Sequence, residues 1–184
     1  MSEKSKNKPE TIDQNLHLPT SYEGEHNFAL DSSVLRENAF YRFYKHLGEK
    51  EVGKNTGPVV EWAMRPWSKV KPDESGWAEW CAAAVCTAYL EAGSSQIKDL
   101  ASTNANTLWQ RLVKRGQAFS LSESSIPALG DLVFFERNGK VYHVGLVKEY
   151  DPKTKQLITL EGNAHDAVRL CVRTTFHGFA HITE

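Results

Sequence analysis

Gly76-Trp77-Ala78-Glu79-Trp80-Cys81-Ala82-Ala83-Ala84-Val85-Cys86 is the stretch from which the rest of the chain can be read. A thiol follows a tryptophan and opens a run of small and apolar residues. The apolar positions continue at helical spacing through Val85, Ala88, Tyr89 and Ala92, and Gly93 ends them. Three alanines directly after Cys81 let such a helix pack closely against a neighbouring layer. At the first turn Cys81 has free backbone N–H groups and the positive helix end beside it, a setting that favours thiolate over thiol. For a cysteine taken alone, a small buried core residue is the better reading. The case for a nucleophile therefore depends on whether the chain supplies a base, an orienting group and a cleft.

The bulk properties bound the answer. A chain of 184 residues with 40% hydrophobic content is enough for one domain with a real core. Its 22 basic and 23 acidic residues, a formal net charge of -1, give no nucleic-acid footprint and no general attraction to anionic membranes. No apolar run is long enough to span a bilayer. The first ten residues lack the apolar core of a secretory signal, so synthesis in the cytoplasm is expected. The three cysteines, Cys81, Cys86 and Cys171, are an odd number without metal-ligand spacing. Neither a disulfide framework nor a metal site is expected, and no cofactor.

Outward from the central stretch, residues 1–30 are polar and aperiodic and read as a flexible arm; residues 31–184 read as the working domain. Asp31-Ser32-Ser33 can cap a helix carrying Leu35, Ala39, Phe40, Phe43, Tyr44 and Leu47, stopped by Gly48. Glu51-Val52-Gly53-Lys54-Asn55-Thr56-Gly57-Pro58 is a shaped loop, and Pro58 can open a short helix broken at Arg65-Pro66-Trp67. Asn104 or Asn106 can cap a helix with Leu108, Trp109, Leu112 and Val113. From Pro127 the pattern changes to strands. Leu132 to Phe135 and Val141 to Val147 flank the hairpin signal Asn138-Gly139, and Leu157 to Glu161, Val168 to Val172 and Phe179 to Ile182 follow. Helices first and a meander of antiparallel strands after them predict an α+β class.

Three features carry chemistry. Cys81 heads a helix, His143 lies on the strand after the Asn-Gly turn, and Glu161 and Asn163 end the next strand. A thiol nucleophile needs a base that makes the thiolate and later protonates the leaving amine, and the base needs a carboxylate or amide to set its ring. Neighbouring antiparallel strands can place a His beside a Glu or Asn, and a helix packed on that sheet can bring up the thiol.

The segments Trp80-Cys81-Ala82-Ala83, Gly130-Asp131-Leu132-Val133-Phe134-Phe135, His143-Val144-Gly145 and Glu161-Gly162-Asn163, in this order, resemble the cysteine- and histidine-dependent amidohydrolase/peptidase (CHAP) family of the papain-like superfamily. The loop from Glu51 to Pro58 resembles the one that precedes the nucleophile in this group. The resemblance covers roughly residues 35 to 182. It implies a papain-like fold with the nucleophile on a helix N-terminus packed against a small antiparallel sheet. It implies hydrolysis of peptide or amide bonds in bacterial peptidoglycan, with Cys81 as nucleophile, His143 as base and then acid, and Glu161 and Asn163 polarising His143. The backbone N–H of Cys81 would serve the oxyanion. Two departures stand out: Ala84 where many relatives carry a bulkier residue, and neither an export signal nor a wall-binding module.

Several side chains take expectations from their place near Cys81. Trp77 and Trp80 flank the thiol and are expected to wall the cleft, and Glu51 and Asn55 to reach it as substrate-binding residues. Asp131 is expected to be a turn residue, and Cys86 and Cys171 structural. The expected partner is a peptidoglycan stem peptide, met by a monomer that acts in the periplasm or cell wall after delivery as a phage-type lysin or a secreted antibacterial effector. An effector would need a proteinaceous immunity inhibitor. The alternatives are a catalytically silent binding module and an intracellular amidase acting on a small peptide-like amide.

Overall fold

A computed structural model describes residues 31–68, 79–122 and 124–184. The N-terminal arm and Trp77 lie outside the described residues. Among the described residues five α-helices precede or flank one sheet: α1 (Ser32–Tyr44), α2 (Pro58–Met64), α3 (Cys81–Glu91), α4 (Ile97–Leu100) and α5 (Ala105–Lys114). The strands are β1 (Ala118–Phe119), β2 (Leu132–Arg137), β3 (Lys140–Asp151), β4 (Gln156–Glu161), β5 (Arg169–Arg173) and β6 (Gly178–Ala180). Among the described residues no helix is long and apolar enough to cross a membrane.

The helix boundaries follow from local chemistry. Asp31 caps α1 by accepting from the Ser33 N–H, and Asn104 caps α5 by accepting from the Thr107 N–H. Pro58 stands at the first position of α2, where its missing N–H costs nothing. Arg65 to Trp67 form a single 3₁₀ turn instead of a clean break.

All six strands pair antiparallel in the order β1-β6-β2-β3-β4-β5. The run from β2 to β5 is the expected meander. β6 departs from it by returning to the far side of β2, where it pairs Leu132 with Ala180. The short α4 and β1 were not foreseen, because two to four residues carry too little periodicity to announce themselves.

Helix α3 is the centre. From Cys81 to Tyr89 every residue is buried, and α1, α2 and the sheet pack around it. The alanines at 82 to 84 make that close approach possible. The Trp67 indole donates to the Thr87 hydroxyl at 2.8 Å, and that hydroxyl donates to the Ala63 carbonyl, so α2 and α3 are joined by a buried polar link. The sheet is tied on at Gly130-Asp131. Tyr89 donates to the Gly130 carbonyl at 2.7 Å. The Asp131 carboxylate, with no exposure, meets Arg36 of α1 at 3.0 Å and His181 at 2.7 Å. Gly130 has φ +82, and a Cβ there would lie 2.1 Å from the Arg36 carbonyl oxygen, so only glycine fits. Asp131 is thus more than a turn former: it fastens the first helix and the C-terminal segment to the head of β2.

The apolar side chains Leu132, Phe134, Val144, Leu146 and Leu160 join the core under the helices. Val133, Phe135, Val147 and Leu157 form a smaller cluster with Tyr142, Tyr150 and Phe176. By the two-residue period of strands Val133, Phe135, Val147 and Leu157 belong to the opposite face of the sheet.

Candidate active site

Cys81 is the first residue of α3, behind Trp80 at the N-cap, and among the described residues no side chain caps this end. The first N–H groups of a helix have no partner within it, so this end presents donors and positive potential at the thiol. Cys81 itself is 1% exposed, yet it lines a cavity of about 270 Å³. Glu79, Thr103, Asn104 and Ala105 lie around that cavity on the helical side, and Arg137, Lys140 and Tyr142 on the hairpin.

His143 sits on β3 opposite Phe135 of β2, their rings 5.7 Å apart, with Tyr142 stacked beside it. Its Nε2 donates to Glu161 Oε2 at 2.8 Å. That leaves Nδ1 for the Cys81 side chain, which bonds to the ring and acts on it as a charge. Burial alone would push the imidazolium down. Cys81 and Glu161 outweigh it and hold His143 up, to about 10. His143 is therefore held as a protonated ring beside the Cys81 sulfur.

Glu161 ends β4 with its side chain wholly buried. Burial would raise its carboxyl, but hydrogen bonds from Arg173, His143 and Thr159 lower it, to about 2. The Thr159 hydroxyl donates to Oε1, Arg173 Nε donates to Oε1 at 2.8 Å, and a terminal Arg173 nitrogen donates to Oε2. Gly145 makes this geometry possible. It stands between His143 and the pairing partners of Leu160, and a Cβ on it would lie 2.7 Å from Glu161 Cγ. The glycine of His143-Val144-Gly145 is the gap through which the carboxylate reaches the ring. Gly162 does the same for the layer below, since a Cβ there would lie 2.7 Å from the Trp80 ring.

The structure thus joins Cys81, His143 and Glu161 in one line. Asn163 stands apart. It follows β4 with φ 57, and among the described residues it makes no hydrogen bond to His143, whose Nε2 is taken by Glu161. Trp80 corrects the expectation of a cleft wall: it is 1% exposed and packs under Gly162. Its indole donates to Glu51 Oε1, and Glu51 Oε2 accepts from the Asn55 N–H at 2.8 Å. Glu51 and Asn55 therefore shape the loop and fasten it to the residue before the thiol, and the described lining of the 270 Å³ cavity includes neither. Cys86 is buried in mid-helix with its thiol pushed up by burial to about 12. Cys171 is partly exposed on β5, and burial and the nearby Glu161 push its thiol up as well.

Sequence reasoning missed Arg173, Thr159, Tyr142, Arg137 and Lys140. Thr159 had a signal, since it lies two residues before Glu161 on a strand and so on the same face. Arg173 had none, because its contact depends on how β5 pairs with β4. A second cavity, of about 550 Å³, opens on the outer face of the sheet between Phe135, Tyr142, Arg173, Phe176 and His177. Tyr142 is common to both cavities. Among the described residues no group of three or more His, Cys, Asp or Glu side chains is placed to hold a metal ion.

In this arrangement the Cys81 sulfur can attack an electrophilic carbon, the imidazolium can supply a proton and the helix end can hold an oxyanion. A family model described as CHAP domain matches residues 70–163, just over half of the chain. No curated protein and no solved structure matches it.

Proposed function

The chain belongs to the CHAP domain family, and from that premise we propose that it hydrolyses amide bonds of bacterial peptidoglycan, as an amidase or an endopeptidase acting on stem peptides. The activity class, a cysteine- and histidine-dependent amidohydrolase or peptidase, comes with the family. The observation that carries the reading is the unbroken line Cys81–His143–Glu161 at the side of an open cavity.

The proposed reaction gives each of these groups a step. Cys81 Sγ attacks the amide carbonyl carbon, and the oxygen takes up negative charge against the Cys81 backbone N–H at the open helix end. The tetrahedral adduct collapses, the C–N bond breaks, and the leaving amine takes the proton from the His143 imidazolium. The neutral ring then removes a proton from water as the hydroxide attacks the thioester. The C–S bond breaks, carboxylate leaves, and the Cys81 sulfur and the protonated His143 are restored. Glu161 stays ionised throughout and keeps Nε2 protonated and aimed. Support for a peptide with acidic groups comes from Arg137 and Lys140, which face each other across the hairpin end and line the cavity beside Cys81. Delivery as a lysin or as a secreted effector belongs to the same proposal, with an immunity protein as partner in the second case.

The test is purified protein incubated with isolated peptidoglycan, beside Cys81→Ala. New amino groups and soluble fragments from the wild type alone are expected. Binding without any release of amino groups would leave a silent binding module. Cleavage of another amide, with sacculi and soluble stem peptides untouched, would refute the wall substrate while keeping the chemistry.

A further inference from the structure

Arg173 performs no step in the reaction above, yet it touches both groups that set the position of His143. Its guanidinium engages the two Glu161 oxygens, one through Nε at 2.8 Å and the other through a terminal nitrogen. The same guanidinium lies over the Phe135 ring, 4.9 Å from its centre, and Phe135 is the residue opposite His143. Arg173 comes from β5, Glu161 from β4 and His143 from β3, so the ionic chain crosses three adjacent strands. We infer that Arg173 is a positioning residue for the reaction: its fork fixes the plane of the Glu161 carboxylate, and through it the orientation of His143 toward Cys81.

The chemistry distinguishes this from an ordinary ion pair. Glu161 has no solvent contact, whereas the Arg173 side chain is about one-third exposed. His143 and the rotatable Thr159 hydroxyl give the carboxylate one bond at each oxygen. The planar fork of Arg173 adds a second bond at each oxygen and sets the carboxylate plane, which a lysine ammonium cannot do. The groups facing the carboxylate are consistent with the assignment. His143 comes from β3, Thr159 from β4 itself, and Cys171 from β5, where Arg169 acts on Cys171 from farther along; Tyr142 of β3 acts on Arg173. Among these described neighbours Arg173 is the permanent cation that bonds to Glu161. Its own proton is held more tightly by that contact.

The inference rests on Cys81 and His143 being nucleophile and base, and not on which amide is cut. Its test therefore uses no substrate. The probe is the rate of iodoacetamide labelling of Cys81 at neutral pH, with Glu161 titrated by carbon NMR and a melting curve recorded for each variant. Arg173→Met is expected to slow labelling on the order of tenfold, the low end of what is lost when the outer partner of a metal-bound histidine is removed. It should also raise the Glu161 titration by roughly 1–3 pH units. Arg173→Lys should keep Glu161 ionised and still slow labelling, because the charge remains and the fork does not. In a Glu161→Gln background, Arg173→Met should change labelling by less than about twofold, since its effect runs through Glu161. Labelling at the wild-type rate in Arg173→Lys would overturn the orienting role, and this variant decides the matter if Arg173→Met does not fold. An effect of Arg173→Met undiminished by Glu161→Gln would overturn the route through the carboxylate.

Discussion

Cys171 is the most exposed of the three thiols, Cys81 and Cys86 being buried, but exposure does not rank their reactivity. Cys86 and Cys171 are both pushed toward the thiol form, the first to about 12. Cys81 has the imidazolium and the open helix end. At neutral pH iodoacetamide should therefore label Cys81 first, and His143→Ala should remove that preference; peptide mapping by mass spectrometry checks both. The pH dependence follows from the ring and the carboxylate. His143 is raised from 6.5 to about 10, so its proton for the leaving amine is retained through neutral pH and lost as pH rises through about 10. The alkaline limb of kcat/KM should lie near that value and move toward neutrality in Glu161→Gln. Glu161 is lowered from 4.5 to about 2, so its contribution to stability is fully present above 4.5 and is lost as pH falls from there through about 2. On the order of 3 kcal/mol is at stake in that window. Denaturant melts between pH 5 and roughly 2 should show a steeper loss for wild type than for Glu161→Gln.

The hairpin β2–β3 and strand β4 hold the polar half of the site, and their fit depends on Gly145. Gly145→Ala would drive a methyl group to 2.7 Å from Glu161 Cγ and 2.9 Å from the Leu160 carbonyl oxygen. Overpacking of this kind costs about 1–3 kcal/mol. Activity should fall well beyond what that stability loss explains, because the carboxylate is displaced from His143; a chemical melt beside a labelling rate separates the two. Helix α3 and its start at Cys81 could be read directly from the helical spacing and the Gly93 stop, but the spacing predicts burial on one side, whereas Cys81 to Tyr89 are buried all round because α1, α2 and the sheet enclose them. His143 and Glu161 could also be read, because each lies in a local motif next to a turn. Asn163 and Glu161 were indistinguishable as orienters from the sequence, and only the strand pairing shows which one the ring meets. Trp80 beside the thiol looked like a cleft wall; the direction of its ring, under Gly162 and onto Glu51, is a matter of tertiary packing.

Across the molecule, helices supply the thiol and the sheet supplies the base, so the site exists only where the two layers meet. The α+β class was readable from the change of pattern near Pro127, whereas the return of β6 to the side of β2 was not, since no local signal encodes strand order. Asp131 binds Arg36 and His181 at the sheet's head, and so the two ends of the described fold share one buried carboxylate. The two cavities lie on either side of Tyr142, with Arg137 resting 4.4 Å above its ring.

Among the described residues strand β5 is the outermost on its side of the sheet and pairs with β4 alone. Edge elements open more readily than the strands they flank. The reaction's ionic order is thus secured by the part of the sheet that frays first. On warming, β5 can lift away while α3 and the central strands stay folded, taking Arg173 with it and leaving Glu161 unclamped. Catalysis should accordingly fail at a lower temperature than the far-ultraviolet dichroism, recover on cooling, and do so with amide exchange that is fastest along residues 169–173. Loss of activity and of dichroism at one temperature would mean that the edge is as firmly held as the centre.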